Sequence, residues 1–226
     1  MNQYAEYLQK IPIFSELTET ELAAISALML IRKYKKRQLI FVEGEPGEAI
    51  YIILDGKVKL TKSTPSGREL ILGIRQTGEP FAEVVLFDGG VYPATAEVIE
   101  DSEIGILRNH DVEQLVMNNS AISIALLKTM SQRLRVSQQK LRDLALKDTL
   151  GGMVNTLKRL AKEHGTKTEQ GILIDLNLTH QDLANFIGTS RESANRFISD
   201  LKKSKIISVD KGKITIIDME KFQEWE

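Results

Sequence analysis

The run LTHQDLANFIGTSRESANRFISDLKKSKII, residues 178–207, leaves little freedom of local structure. Thr179 and Asp182 stand at the spacing of a capping box, Thr189 and Glu192 repeat that spacing, and Gly188 sits in the tight turn between them. Apolar residues recur at helical intervals on both sides of the glycine: Leu183, Ala184 and Ile187 before it, Ala194, Phe197, Ile198 and Leu201 after it. Two short helices joined by a glycine turn make a helix-turn-helix. Burying the two stripes leaves Arg191, Glu192, Asn195 and Arg196 on the outer face of the second helix. IISVDKGKITII follows, two β-type runs about Lys211-Gly212-Lys213, and reads as a wing-like hairpin.

Charge indicates what this segment meets. From Thr189 to Lys213 there are seven basic residues (Arg191, Arg196, Lys202, Lys203, Lys205, Lys211, Lys213) against three acidic ones (Glu192, Asp200, Asp210), so the net charge of -1 hides a basic tip. An arginine at the start of such a helix can bond guanine O6 and N7 together, and a glutamate can accept from cytosine N4. Arg191, Glu192 and Arg196 are therefore the expected base readers. Thr179, Gln181, Ser190 and the wing lysines Lys211 and Lys213 are the expected phosphate contacts, with His180 and Asn195 completing the DNA-facing set.

Upstream, β-type runs alternate with turn signals: AIYIIL, then DG, KVKLTK, TPSG, RELILGI and QTGE, with EIGILRN closing the series. This predicts an antiparallel sandwich or roll, with a turn at Asp55-Gly56. Thr18 and Glu21 mark the start of a short helix ahead of it. From Asp111 the pattern becomes one long helix with no Gly or Pro between Val112 and Leu150. Ile124, Leu127, Ser131, Leu134, Gln138, Leu141 and Ala145 alternate in steps of three and four, the spacing of a coiled-coil seam, and predict a homodimer. Gly151-Gly152 should interrupt that helix. TLKRLAKEH then reads as a short helix and ILIDLNL as a strand or extended segment. The expected fold is α+β: an N-terminal β-roll over residues 1–110, a dimerisation helix over 111–147 and a winged helix-turn-helix over 148–226.

Several functions are excluded by what the chain lacks. It has no cysteine, which removes disulfides, thiolate metal sites and iron-sulfur clusters. Its three histidines, His110, His164 and His180, form no ligand pair, so no metal, cofactor or catalytic residue is expected. A metal-dependent oxygenase built on a β-roll needs a facial set of His and carboxylate ligands, and residues 1–109 hold no His. With 42% hydrophobic residues and no apolar run near the roughly 20 needed to span a bilayer, neither a membrane span nor a secretory signal is expected, and the cytoplasm is the expected location.

IGTSRESANR, together with the order roll, long helix and winged helix, resembles the CRP/FNR superfamily of bacterial transcription regulators from about Ile13 to Ile217. The resemblance implies double-stranded palindromic DNA with half-sites close to TGTGA as partner, and RNA polymerase as a further one. Asn195 stands where a small residue is common. The family's roll binds cyclic nucleotides through a Gly-Glu pair and a later Arg-Ser or Arg-Thr pair; the matching positions here are Ala82-Glu83 and Pro93, Ala94 and Thr95. The phosphate-binding arginine is missing, and a buried anion without it is heavily penalised.

The resemblance thus implies an effector other than cyclic AMP, of unknown identity. Its cradle would comprise Phe81, Ala82, Val84, Val85 and Leu86, with Glu83, Tyr92 and Thr95 as polar anchors beside Pro93 and Ala94. Ser137 and Gln138, which match effector-contacting positions on the family's long helix, are the corresponding candidates there. A constitutive DNA-binding protein with a ligand-free roll is the alternative.

Overall fold

The computed structural model describes residues 3–9, 11, 14–15, 17–146 and 149–225. The chain divides into two compact units, residues 1–62 with 72–135, and residues 63–71 with 136–226. The boundary expected between 147 and 148 lies outside the described residues.

The first unit is built from α1 (Gln3–Gln9), α2 (Glu19–Leu28), β1 (Leu30–Tyr34), β2 (Leu39–Phe41), β3 (Ala49–Ser63), β4 (Glu69–Gln76), β5 (Pro80–Phe81), α3 (Val85–Asp88), β6 (Thr95–Arg108), α4 (Asn109–Asn118) and the opening of α5 (Ser120–Leu146). Its antiparallel sheet has the order β1-β6-β3-β4, with β2 on β6 and β5 on β3. The central strand β3 explains the unbroken apolar run AIYIIL. Ile50, Ile52 and Leu54 point into a cluster with Leu8, Ile25, Leu107 and Ile122, while Ala49, Tyr51 and Ile53 point into another with Phe41, Phe81, Val85 and Tyr92. Both faces of the strand are buried, so side chains alternate in direction but not in polarity.

Two expectations are corrected here. Asp55-Gly56 does not reverse the chain: β3 runs through it, and the register against β6 slips between Ile53 and Val58. Gly56 takes φ +99, with Ser102 packed where a side chain would be, so the pair makes a bulge in one long strand. The long helix also starts later than its pattern suggests. α4 ends at Asn118, Asn119 is extended, and its Oδ1 accepts from the Ala121 and Ile122 amides at 2.9 and 3.1 Å. A side chain that satisfies the first free N–H groups of a new helix competes with continuing the old one.

The second unit holds the rest of α5, α6 (Thr149–His164), β7 (Gly165–Thr168), β8 (Gly171–Ile174), α7 (His180–Ile187), α8 (Arg191–Lys203), β9 (Ile207–Asp210), β10 (Lys213–Ile216) and α9 (Met219–Gln223). Its sheet order is β7-β8-β10-β9. Gly151 and Gly152 lie within α6 instead of ending a helix. The helix gains its stability from burying Met153, Val154, Leu157 and Leu160, which outweighs the roughly 1 kcal/mol cost of each glycine. β7 was not anticipated, because all four of its residues are exposed and carry no apolar alternation.

Candidate DNA-reading surface and effector cradle

The helix-turn-helix is assembled by local polar bonds over a buried frame. Thr179 caps α7, its Oγ1 accepting from the Asp182 amide at 3.0 Å while the Asp182 carboxylate accepts from the Thr179 amide at 2.9 Å. Gly188 ends that helix at φ +70, a conformation that glycine adopts without a Cβ penalty, and its amide donates to Ala184. The second cap differs from expectation: Ser190, not Thr189, is the N-cap of α8, and its Oγ accepts from the Ser193 amide at 3.1 Å. A two-residue link after Gly188 places the serine at the helix start, so the Thr189-Glu192 spacing is coincidental.

Below these caps Leu183, Ala184, Phe186, Ala194, Phe197, Ile198 and Leu201 are buried, whereas Ile187, expected in the stripe, is only half-buried at the end of α7 beside Gly188. Above them Arg191, Glu192, Asn195 and Arg196 are exposed together on one face of α8, with Thr179, Gln181 and Ser190 exposed at the two helix starts and His180 half-buried. The Glu192 carboxyl is held below the usual carboxylate range, first by its own backbone N–H and then by the Ser190 hydroxyl. It remains an anionic acceptor at neutral pH. In the wing, Lys211 is exposed at the turn, whereas Lys213 sits 2.6 Å from Asp175. The wing is tied back by the Leu178 amide donating to Gly212 at 3.0 Å. Asp175 therefore holds Lys213 in place, and Lys211 is the freer cation.

In the first unit the cradle segment surrounds a buried carboxylate. Phe81, Val85, Leu86, Tyr92 and Ala94 are buried, Thr95 is half-buried, and Val84 and Pro93 face solvent. Tyr92 stacks on Phe41 with ring centres 3.9 Å apart. Its hydroxyl is within 3.2 Å of both the Ala49 amide and the Ala49 carbonyl, and lies 3.3 Å from the Tyr51 hydroxyl. Burial, then that contact, pushes the Tyr51 phenol up. Thr95 Oγ1 accepts from the Glu43 amide at 3.0 Å. Tyr92 and Thr95, two of the three expected polar anchors, thus hold the roll's own backbone. Ser137 and Gln138 are exposed on α5.

Glu83 is 6% exposed, and one of its oxygens has no hydrogen-bond partner among the described residues. The other accepts from Arg133 of α5, whose second guanidinium nitrogen donates to the Pro80 carbonyl. Residue 82, alanine where the resemblance leads one to expect glycine, takes φ +63 to turn the chain here. Sequence reasoning missed Arg133. The available signal was a glutamate embedded in an apolar segment, which demands a cation from elsewhere in the chain.

A helix-turn-helix that exposes a charged face, on a chain with an antiparallel roll, defines a DNA-binding transcription regulator and not an enzyme. Residues 31–119 match the cyclic nucleotide-binding domain, and residues 153–225 match the Crp-like helix-turn-helix domain. The "Anaerobic regulatory protein" of Bacillus subtilis is 36% identical over 93% of this chain and 90% of its own length. A "CRP-like cAMP-activated global transcriptional regulator" of Mycobacterium tuberculosis is 29% identical over 96% of both chains. Among solved structures, a c-di-GMP-responsive global regulator of Xanthomonas campestris superposes with a TM-score of 0.76 at 25% identity, covering 88% of this chain and 99% of its own. The chain belongs to the CRP/FNR family of transcription regulators. No described helix is long and apolar enough to cross a membrane.

The Glu83–Arg133 pair gives a direct stability test. Replacing Arg133 by Met leaves a buried carboxylate unpaired and should cost on the order of 3 kcal/mol in urea denaturation. Adding Glu83→Gln to that variant should restore most of the loss, because the uncharged amide is cheaper to bury.

Proposed function

We propose that the chain works as a homodimeric, sequence-specific regulator that reads a palindrome through Arg191, Glu192 and Arg196. The observation that carries this reading is the set of exposed charged side chains on α8, held from below by a fully buried stripe. Thr179, His180, Gln181, Ser190, Asn195, Lys211 and Lys213 surround those readers as phosphate and flanking contacts, Lys213 from its pairing with Asp175. By family resemblance the half-sites are TGTGA-like and RNA polymerase is a further partner. The functional division follows the same lines: an effector-binding roll over 1–110, a dimerisation helix over 111–147 and a DNA-binding part over 148–226.

Dimerisation is supported by the seam on α5. Ile124, Leu127, Leu134 and Leu141 are 51%, 63%, 60% and 67% exposed, too much apolar surface for a lone helix face to leave in water. An open groove of about 460 Å³ runs beside Ile124, Leu127 and Ser131. Ala145, at the end of the seam, lies outside the described side chains. A twofold partner covers such a seam and sets two reading heads on one side of DNA. Leu134→Glu should sediment as a monomer and lose specific binding; a stable dimer would refute the seam.

The effector is a small molecule other than cyclic AMP. Position 93 is an exposed proline, so a cyclic phosphate would find no guanidinium there. Calorimetric titration with cyclic AMP should give no saturable heat. A ligand-free, constitutive roll is favoured by one observation: Arg133 already occupies Glu83, and Tyr92 and Thr95 are bonded within the roll.

Base reading is tested by selecting binding sites from random duplexes. Arg191→Ala should cost about 1 to 3 kcal/mol per head and relax preference at one base pair. An even loss across all sequences, with the selected motif unchanged, would show that Arg191 reads no base.

A further inference from the structure

Along one flank of the α5 seam every polar side chain can donate a hydrogen bond, and two of them are cations. The open groove of about 460 Å³ beside Ile124 and Leu127 is lined further by Lys128, Ser131, Gln132 and Arg135. These four stand at steps of three, four and seven residues, so they share one face of the helix. Lys128 and Arg135 lie roughly 10 Å apart along the axis, seven residues at about 1.5 Å each, with the serine hydroxyl and the glutamine amide between them. No carboxylate belongs to this set.

The helix as a whole is short of acids. α5 carries five basic residues (Lys128, Arg133, Arg135, Lys140, Arg142) and one acidic residue, Asp143. Arg133 is taken up by Glu83 of the roll. Arg135 is exposed and makes no ion pair with any described residue. A second copy does not answer this charge by itself. With Ile124 and Ser131 at heptad position a, Lys128, Arg135 and Arg142 fall at e, and a parallel partner sets its g residues opposite them. Those are Ser123, Met130 and Ser137, none of them acidic. The apolar drive is modest as well, because Ser131 and Gln138 interrupt the Ile and Leu layers, and a polar residue at an a position costs stability.

We propose that the homodimer seam holds a binding site for a small multivalent anion of the phosphate type, formed on each flank by Lys128, Ser131, Gln132 and Arg135. This rests on the proposed dimer and adds a ligand to it. Two linked phosphoryl groups reach toward both cations, whereas a single chloride meets only one. Arg135 takes two oxygens through its planar fork, and Lys128 holds the far end as a point charge. The positive potential in the groove rises when a second helix of like charge lies alongside, so the anion binds the dimer more tightly than the monomer. By linkage it then tightens the dimer, the opposite of what added salt does to DNA binding.

Sedimentation equilibrium of the full-length protein without DNA tests this, near neutral pH and at low, fixed ionic strength, with inorganic pyrophosphate replacing part of the chloride. Pyrophosphate at about twice its own dissociation constant on both flanks should lower the dimer dissociation constant about tenfold. At millimolar concentration it is too dilute to act by general exclusion from the protein surface. Arg135→Gln, which removes the charge, should dimerise more tightly than the unmodified protein in chloride and lose the response to pyrophosphate. Arg135→Lys keeps the charge without the fork and should retain part of the response. Lys167→Gln, on the exposed strand β7, removes the same charge away from the seam and should respond in full.

A dissociation constant that pyrophosphate leaves unchanged overturns the site. So does a weaker dimer for Arg135→Gln in chloride alone, which would mean that Arg135 pairs with an acid of the second copy. An equal response from Arg135→Gln and the unmodified protein overturns it too, since the anion would then act elsewhere. Leu134→Glu measured in parallel keeps the site apart from the dimer it rests on. If that variant is monomeric while pyrophosphate has no effect on the unmodified protein, the anion site alone falls; if it stays dimeric, the seam falls and the site with it.

Discussion

The burial of Ala194, Phe197, Ile198 and Leu201 beneath α8 is the interaction on which the proposed reading face depends. Each of the three large side chains contributes about 1.5–3 kcal/mol by leaving water, far more than any single polar contact on the opposite face. The frame therefore fixes the rotation of the helix about its axis, and rotation decides which residues face outward. With that stripe inward, Arg191, Glu192, Asn195 and Arg196 have no choice but to share the other side. The caps at Thr179 and Ser190 fix where each helix begins, and Gly188 supplies the one left-handed residue that lets the second follow the first so closely.

The roll applies the same economy to a charge. Glu83 lies among apolar side chains, where an isolated carboxylate would be costly, and α5 brings Arg133 to it. The long helix that carries the exposed seam is thus the helix that neutralises the cradle. Glu83 pairs with Arg133, the immediate sequence neighbour of the seam residue Leu134. The roll keeps an acid at position 83, and its cation comes from Arg133 of α5.

Much of this was legible in the sequence because short-range chemistry carries it. The capping boxes at Thr18 and Thr179, the turn glycine and the apolar stripes of α7 and α8 are all written within a few residues of one another. Where reading failed, a competing interaction came from farther away or from an overlooked neighbour. Asp55-Gly56 looks like a hairpin turn until β6 is paired along the whole of β3. Asn119 breaks a helix whose apolar periodicity continues across it, because periodicity does not register a side chain that caps. Thr189 and Ser190 both qualify as caps, and only the backbone conformation separates them. Arg133 reaches Glu83 across 50 positions and Glu69 reaches Asn185 across 116, separations that no local pattern spans.

Hydroxyl-radical footprinting of the full-length protein on a palindromic duplex tests the central claim most directly. A homodimer with two reading heads should protect two patches on one face of the duplex, centred about one helical turn, roughly 34 Å, apart, with each patch over a half-site. A single protected patch, or uniform protection that does not depend on sequence, would contradict it.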